Sequence, residues 1–207
     1  MINKENDVAN ILLETKAIEL NFENYFTWAS GIKSPIYCDN RVLISYVEYR
    51  NKIVNYFIDS IKQNYQSVTL IAGVATSGIT WASMISQKMN LPMIYVRPEP
   101  KDHGRNSQIE GRFFEKQNVI IIEDLISTGG SALKVCDLLR DSKLNVLGVC
   151  AIFSYDLKIS KTNFEKSNYK LSYLSSINNL LNLINENNLY DINQVDKLIS
   201  FFNKIDK

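Results

Sequence analysis

Two adjacent carboxylates, Glu123 and Asp124, end the apolar run NVIII, and the stretch LISTGGS follows them before the helix-like SALKVCDLLRD. Two neighbouring acids can accept hydrogen bonds from a pair of hydroxyls. The side chains of Ser127, Thr128 and Ser131 offer hydroxyl donors, and Gly129 and Gly130 let backbone amides come close to a ligand. A helix beginning there adds partial positive charge, so the loop is suited to a phosphate monoester. Acids beside a phosphate cradle would repel a bare phosphate. They fit a phosphate carried on a sugar, whose hydroxyls need acceptors and whose charge Mg²⁺ can offset. The loop lacks the GK[ST] ending of an ATP-type phosphate loop, which makes triphosphate hydrolysis the poorer reading. The bland alternative is a strand ending in a solvated acid pair before an ordinary Ser/Thr helix cap.

Such a cradle needs a strand to carry it and a helix to follow it. From residue 68 onward, strand-length apolar runs (VTLIAGVA, PMIYV, NVIIIED, NVLGVCAIF) alternate with the helical stretches ITWASMISQKM and SALKVCDLLRD. Runs apolar on both faces, separated by helices, predict an α/β fold with a central, mostly parallel sheet flanked by helices. In such a sheet ligands bind at the carboxyl ends of the strands, where the acid pair stands. Upstream, Val8 to Leu20 and Val47 to Ile61 carry one-sided apolar spacing and read as helices. Between them FTWASGIKSPIYCDNR reads as short strands and turns. The tail holds a candidate strand at YKLSYLS, then helical pieces striped with Leu180, Leu181, Ile184, Val195, Leu198, Ile199 and Phe202.

With 207 residues and 45% hydrophobic content, the chain predicts one globular domain with a sizeable core. Lys and Arg number 23 against 22 Asp and Glu, so a net charge of +1 gives no electrostatic case for nucleic acid or a membrane surface as partner. Cys38, Cys136 and Cys150 are odd in number and lie far apart without ligand spacing, which suits a reducing cytoplasm. The opening MINKENDVAN lacks the order of a signal peptide, and no apolar run reaches the roughly 20 residues of a membrane span. A soluble cytoplasmic protein is expected.

The run IIIEDLISTGGS resembles the phosphoribosyl pyrophosphate signature of type I phosphoribosyltransferases. Three further segments resemble the orotate phosphoribosyltransferases among them, and together the likeness spans Phe26 to Tyr155. FTWASGIKSPIYCDNR is similar to that family's N-terminal hood over the base. IAGVATSGITWA is a second amide-rich turn suited to pyrophosphate. YVRPEPKDHGRNSQIEGRF, with about fourteen mostly polar residues between strands, is similar to the family's mobile catalytic loop.

The resemblance implies one phosphoribosyltransferase domain over 1–207, with 1–45 contributing the hood and 175–207 a helical closing segment. It implies transfer of a 5-phosphoribosyl group from phosphoribosyl pyrophosphate to orotate. Its implied cofactor is Mg²⁺, bound mainly through substrate, and its implied assembly is a homodimer whose catalytic loop is shared across subunits. Carried over residue by residue, Lys101, His103 and Asp124 are catalytic. Arg97, Lys101, His103, Glu123, Asp124, Leu125, Ile126, Ser127, Thr128, Gly129, Gly130 and Ser131 face phosphoribosyl pyrophosphate. Ser127, Ser30, Gly31 and Lys33 border orotate. His103, the sole histidine, gains its weight from lying between Lys101 and Arg105 in that loop. The chain departs from some members at Ala29, at Thr76 and Ser77, at Pro98 and at Tyr155, where those members carry Lys, Tyr-Lys, a second basic residue and Arg.

Overall fold

The computed structural model describes residues 3–28, 31–99 and 108–206. Helix α1 (Lys4–Glu14) starts where the Asn3 side chain accepts from the Glu5 amide. It stops earlier than the apolar spacing to Leu20 suggests. The Thr15 hydroxyl bonds back to the Ile11 carbonyl at 2.7 Å, and Lys16 takes φ 55°, which breaks the helical path. The chain then re-enters as β1 (Ile18–Leu20), paired antiparallel with β4 (Ile36–Cys38). Inside that excursion β2 (Phe26–Thr27) and β3 (Lys33–Ser34) form a second small hairpin. A 3-10 turn (Asn40–Ser45) leads into α2 (Val47–Asn64).

The main sheet begins with β5 (Leu70–Val74), crosses through α3 (Ser77–Met89) to β6 (Met93–Val96), and receives the short antiparallel β7 (Ile109–Glu110) at its edge. β8 (Asn118–Ile126) returns to the middle and feeds α4 (Gly130–Asp141), then β9 (Asn145–Ser154), α5 (Lys158–Ser167) and β10 (Leu171–Ser176). Helices α6 (Ile177–Glu186) and α7 (Ile192–Ile205) close the chain, each opened by a reciprocal capping box. Among the described residues the sheet order is β10-β9-β8-β5-β6-β7, parallel except for β7.

The connections explain where a site must form. From β5 the chain steps outward to β6; from β8 it steps the opposite way, to β9 and β10. β5 and β8 are neighbours, so their carboxyl ends flank a topological switch point, the usual place for a ligand crevice in an open α/β sheet. Two cores back it. One gathers α1, α2, α3, α6 and α7 around Phe57, Trp81 and Ile152; the other lies under α4 and α5 around Ile121, Leu139 and Phe164. The strands read from the sequence are present. Two elements had no apolar signature: α5, which buries only Ser160 and Phe164 of its ten residues, and the two-residue β7.

Candidate active site

The register puts the acid pair at the crevice. β5 pairs with β8 only as far as Gly73 opposite Ile122, whereas β9 stays paired to β8 up to Ser154 opposite Ile126. Glu123 to Ile126 therefore run past the paired part of β5, held on one side by β9. Leu125 and Ile126 turn their side chains into the two cores, so what they offer a ligand is backbone. Ser127 and Thr128 follow as a bend. Gly129 adopts φ 79° with a would-be Cβ 2.6 Å from the Phe164 ring, so glycine alone fits there, and α4 begins at Gly130. Ser127 is half-buried, while Thr128, Gly130 and Ser131 are exposed.

Glu123 is 6% exposed and its Oε1 accepts the Asp124 amide at 2.9 Å. Burial first, and then the negative charge of Asp124, push its carboxyl well above the usual carboxylate range. Asp124 is half-buried, and its carbonyl accepts the Asn40 side-chain amide at 2.7 Å, which ties the 3-10 turn to the strand end. A hydroxyl pair or a cation arriving at these two acids would relieve their mutual repulsion. That is the fit expected for a ribose accompanied by Mg²⁺. Among the described residues no three Asp, Glu, His or Cys groups form a metal-holding cluster.

The second turn faces the same crevice. A Cβ on Gly78 would stand 2.4 Å from the Ile122 carbonyl oxygen, so the first turn of α3 presses onto β8 one residue before Glu123. The turn between β5 and α3 is thus held beside the acid pair. A cavity of about 690 Å³, the size of a small-molecule site, joins this turn at Val74 and Ala75 to Arg97 and to Gly130, Ser131 and Lys134 of α4. Arg97 Nη1 is buried 4.0 Å from Glu110 Oε1 and has no hydrogen-bond partner among the described residues. As a lining residue Arg97 brings positive charge to the cavity, which suits an anionic oxygen.

Arg97 also starts the long polar segment, closed at its base by the Arg97 amide donating to the Gln108 carbonyl at 2.9 Å and by the Gln108 side chain donating to the Pro98 carbonyl at 3.0 Å. Lys101, His103 and Ser30 lie outside the described residues, as does Arg105. Gly31 is exposed at the β2–β3 tip with φ 83°, and its amide donates to the Trp28 carbonyl. Lys33 Nζ donates to Thr27 Oγ1 at 2.6 Å and lines a groove against α7. The structure therefore gathers Arg97, Gly130 and Ser131 around one cavity and the acid pair at the adjoining strand end, with Lys33 turned toward α7.

Three contributors gave no local signal in the sequence. Asn40 reaches Asp124 across 84 positions of chain. Half-buried Cys38 donates its thiol toward Asn40 Oδ1, and burial together with the charges of Asp124 and Asp39 pushes that thiol well up. Asn163 of α5 donates to the Thr128 carbonyl at 3.3 Å and so braces the loop from behind.

Residues 46–182 match the phosphoribosyl transferase domain family. An orotate phosphoribosyltransferase of Malacoplasma penetrans is 50% identical over 201 residues, 96% of this chain and 96% of the relative. One of Streptococcus mutans is 51% identical over 175 residues, 84% of each chain. Among solved structures, orotate phosphoribosyltransferase from Aeropyrum pernix superposes with a TM-score of 0.76 at 23% identity, covering 89% of this chain and 99% of that one. That likeness shows the fold alone.

Proposed function

The chain belongs to the phosphoribosyltransferase family, and on that premise we infer that it is an orotate phosphoribosyltransferase. It transfers the 5-phosphoribosyl group of phosphoribosyl pyrophosphate to orotate, giving orotidine 5'-monophosphate and pyrophosphate, a step of de novo pyrimidine (UMP) biosynthesis. The observation that carries the reading is an acid pair running past the paired part of β5 at the β5–β8 switch point and leading into a glycine-opened helix start.

A ring nitrogen of orotate bonds to the anomeric carbon as the bond from that carbon to pyrophosphate breaks. The ribose passes through a cationic, oxocarbenium-like state between two anions, so the protein's task is electrostatic. Glu123 and Asp124 hold the ribose hydroxyls. Loop 127–131 anchors the 5-phosphate with backbone amides and hydroxyls, and Leu125 and Ile126 contribute backbone. Arg97, Lys101 and His103 meet the pyrophosphate and offset the charge it gains on leaving. Ser127, Ser30 and Gly31 border orotate, and Lys33 reaches it by exchanging its bond to Thr27. Mg²⁺, carried mainly by the substrate, supplies further charge compensation at the pyrophosphate when bound.

Closure of the 97–110 loop excludes water from the activated sugar. The working unit is a homodimer in which each loop serves the partner's site, acting in the cytoplasm, where the thiols of Cys38, Cys136 and Cys150 stay free. No helix among the described residues is long and apolar enough to cross a membrane, and near-neutral charge gives nucleic acid no purchase.

An ultraviolet assay tests the reading. Protein, Mg²⁺, orotate and phosphoribosyl pyrophosphate together should deplete orotate absorbance. Consumption of adenine, hypoxanthine or uracil in place of orotate would overturn the base assignment and leave the sugar site standing.

A further inference from the structure

We propose that Tyr155 is a positioning residue that fixes the base hood to the phosphate loop, so that its aromatic stack on Trp28 sets where Trp28 and Gly31 stand relative to orotate. The proposal rests on the orotate reading above. It starts from a closed circuit of contacts around the crevice.

The Tyr155 amide donates to the Ile126 carbonyl at 3.0 Å, one residue before Ser127. The Tyr155 ring lies on Trp28 with centroids 5.1 Å apart and planes 16° from parallel. Trp28 is the frame of the β2–β3 hairpin. Its amide donates to the Ile32 carbonyl at 2.9 Å, its carbonyl accepts from Gly31 at 2.8 Å, and its indole Nε1 donates to the Ile36 carbonyl at 2.9 Å in β4. β4 leads on to Asn40, whose side chain returns to the Asp124 carbonyl. The circuit leaves β8 at Ile126 and comes back to it at Asp124.

The hood therefore has two anchors on one three-residue stretch of strand: a hydrogen bond through Asn40 and an aromatic stack through Tyr155. Helix α7 backs the stack. Phe201 meets Trp28 edge-on at 5.7 Å and Phe202 lies 5.6 Å from the Tyr155 ring. Tyr155 is 4% exposed and no hydrogen bond is made by its hydroxyl among the described residues, so its ring carries the link. Losing the stack leaves the hairpin held to β8 through Asn40, with only the edge contact of Trp28 on Phe201 behind it. The ribose and phosphate contacts, built by 123–131 itself, stay in place.

Steady-state kinetics of the full chain separate these effects. Tyr155→Phe keeps the stack and should hold the KM for orotate within about twofold of wild type. Tyr155→Leu and Phe201→Ala should raise that KM by about five- to tenfold, the size of one lost aromatic contact, with the KM for phosphoribosyl pyrophosphate unchanged. Phe201 is half-buried, so its variant carries the test if Tyr155→Leu fails to fold. A parallel rise in both KM values, no rise in either, or a Tyr155→Phe defect equal to that of Tyr155→Leu overturns the proposal. Wild-type turnover of orotate is the control: its absence sinks the assigned reaction, whereas active wild type with unaltered variants sinks the positioning role alone.

Discussion

Glu123 is a residue whose site changes its ordinary acid behaviour. Its carboxyl is raised by burial and by Asp124, so between the usual Glu range and its raised folded value the native protein binds more protons than the unfolded chain. The stability contributed by that proton is complete below the unfolded value and is lost as pH rises through the folded one. Replacing Glu123 with Gln removes the dependence. Thermal unfolding of ligand-free Glu123→Gln should therefore show little difference from wild type near pH 4 and a Tm advantage that grows as pH is raised above the ordinary Glu range. A constant offset across that window would contradict the buried proton. The same variant should bind phosphoribosyl pyrophosphate more weakly, since stability and ribose recognition oppose each other at this position. In the proposed mechanism Lys101 is the complementary case, a charge that acts as pyrophosphate leaves. Lys101→Ala should lower kcat by about two or more orders of magnitude in the orotate assay, and normal turnover would remove it from the catalytic set.

At the level of elements, the close approach of α3 to β8 keeps the second turn beside the acids. Gly78→Ala places a methyl group 2.4 Å from a backbone oxygen, with no flexible side chain to yield. We expect about 1–3 kcal/mol of lost stability by denaturant unfolding and a raised KM for phosphoribosyl pyrophosphate; an unchanged KM would detach this turn from the site. Elements such as β8, its loop and α4 were legible in the sequence because each signal is local: a strand apolar on both faces, two acids, two glycines, then helical spacing. The end of α1 was not, since apolar residues continue at helical spacing through Ile18 while Lys16 takes a left-handed turn. α5 was missed because KISKTNFEKS is polar on nearly every side, yet Asn163 and Phe164 brace the phosphate loop from it. Contacts such as Asn40 to Asp124, or Trp28 to Tyr155, join residues that only the folded sheet makes neighbours.

Across the whole molecule, the proposed function gives the sheet the sugar and phosphate contacts, the small hairpins and α7 the base side, and the 97–110 loop the completion of the site. Assigning that loop to the partner's site makes a prediction that no single chain can satisfy. Lys101→Ala and Asp124→Asn proteins, each nearly inactive, should regain activity when unfolded together and re-formed, because one site in the mixed dimer then holds an intact loop and an intact acid pair. No recovery would place the loop in its own subunit's site. Beneath all of this stands the claim that Glu123 to Ser131 grips a phosphorylated ribose. Calorimetric titration of the ligand-free protein with phosphoribosyl pyrophosphate and Mg²⁺ tests it most directly. One binding event per chain is expected, lost or severely weakened in Asp124→Asn; no heat of binding in the wild type, or undiminished binding in the variant, would refute that grip.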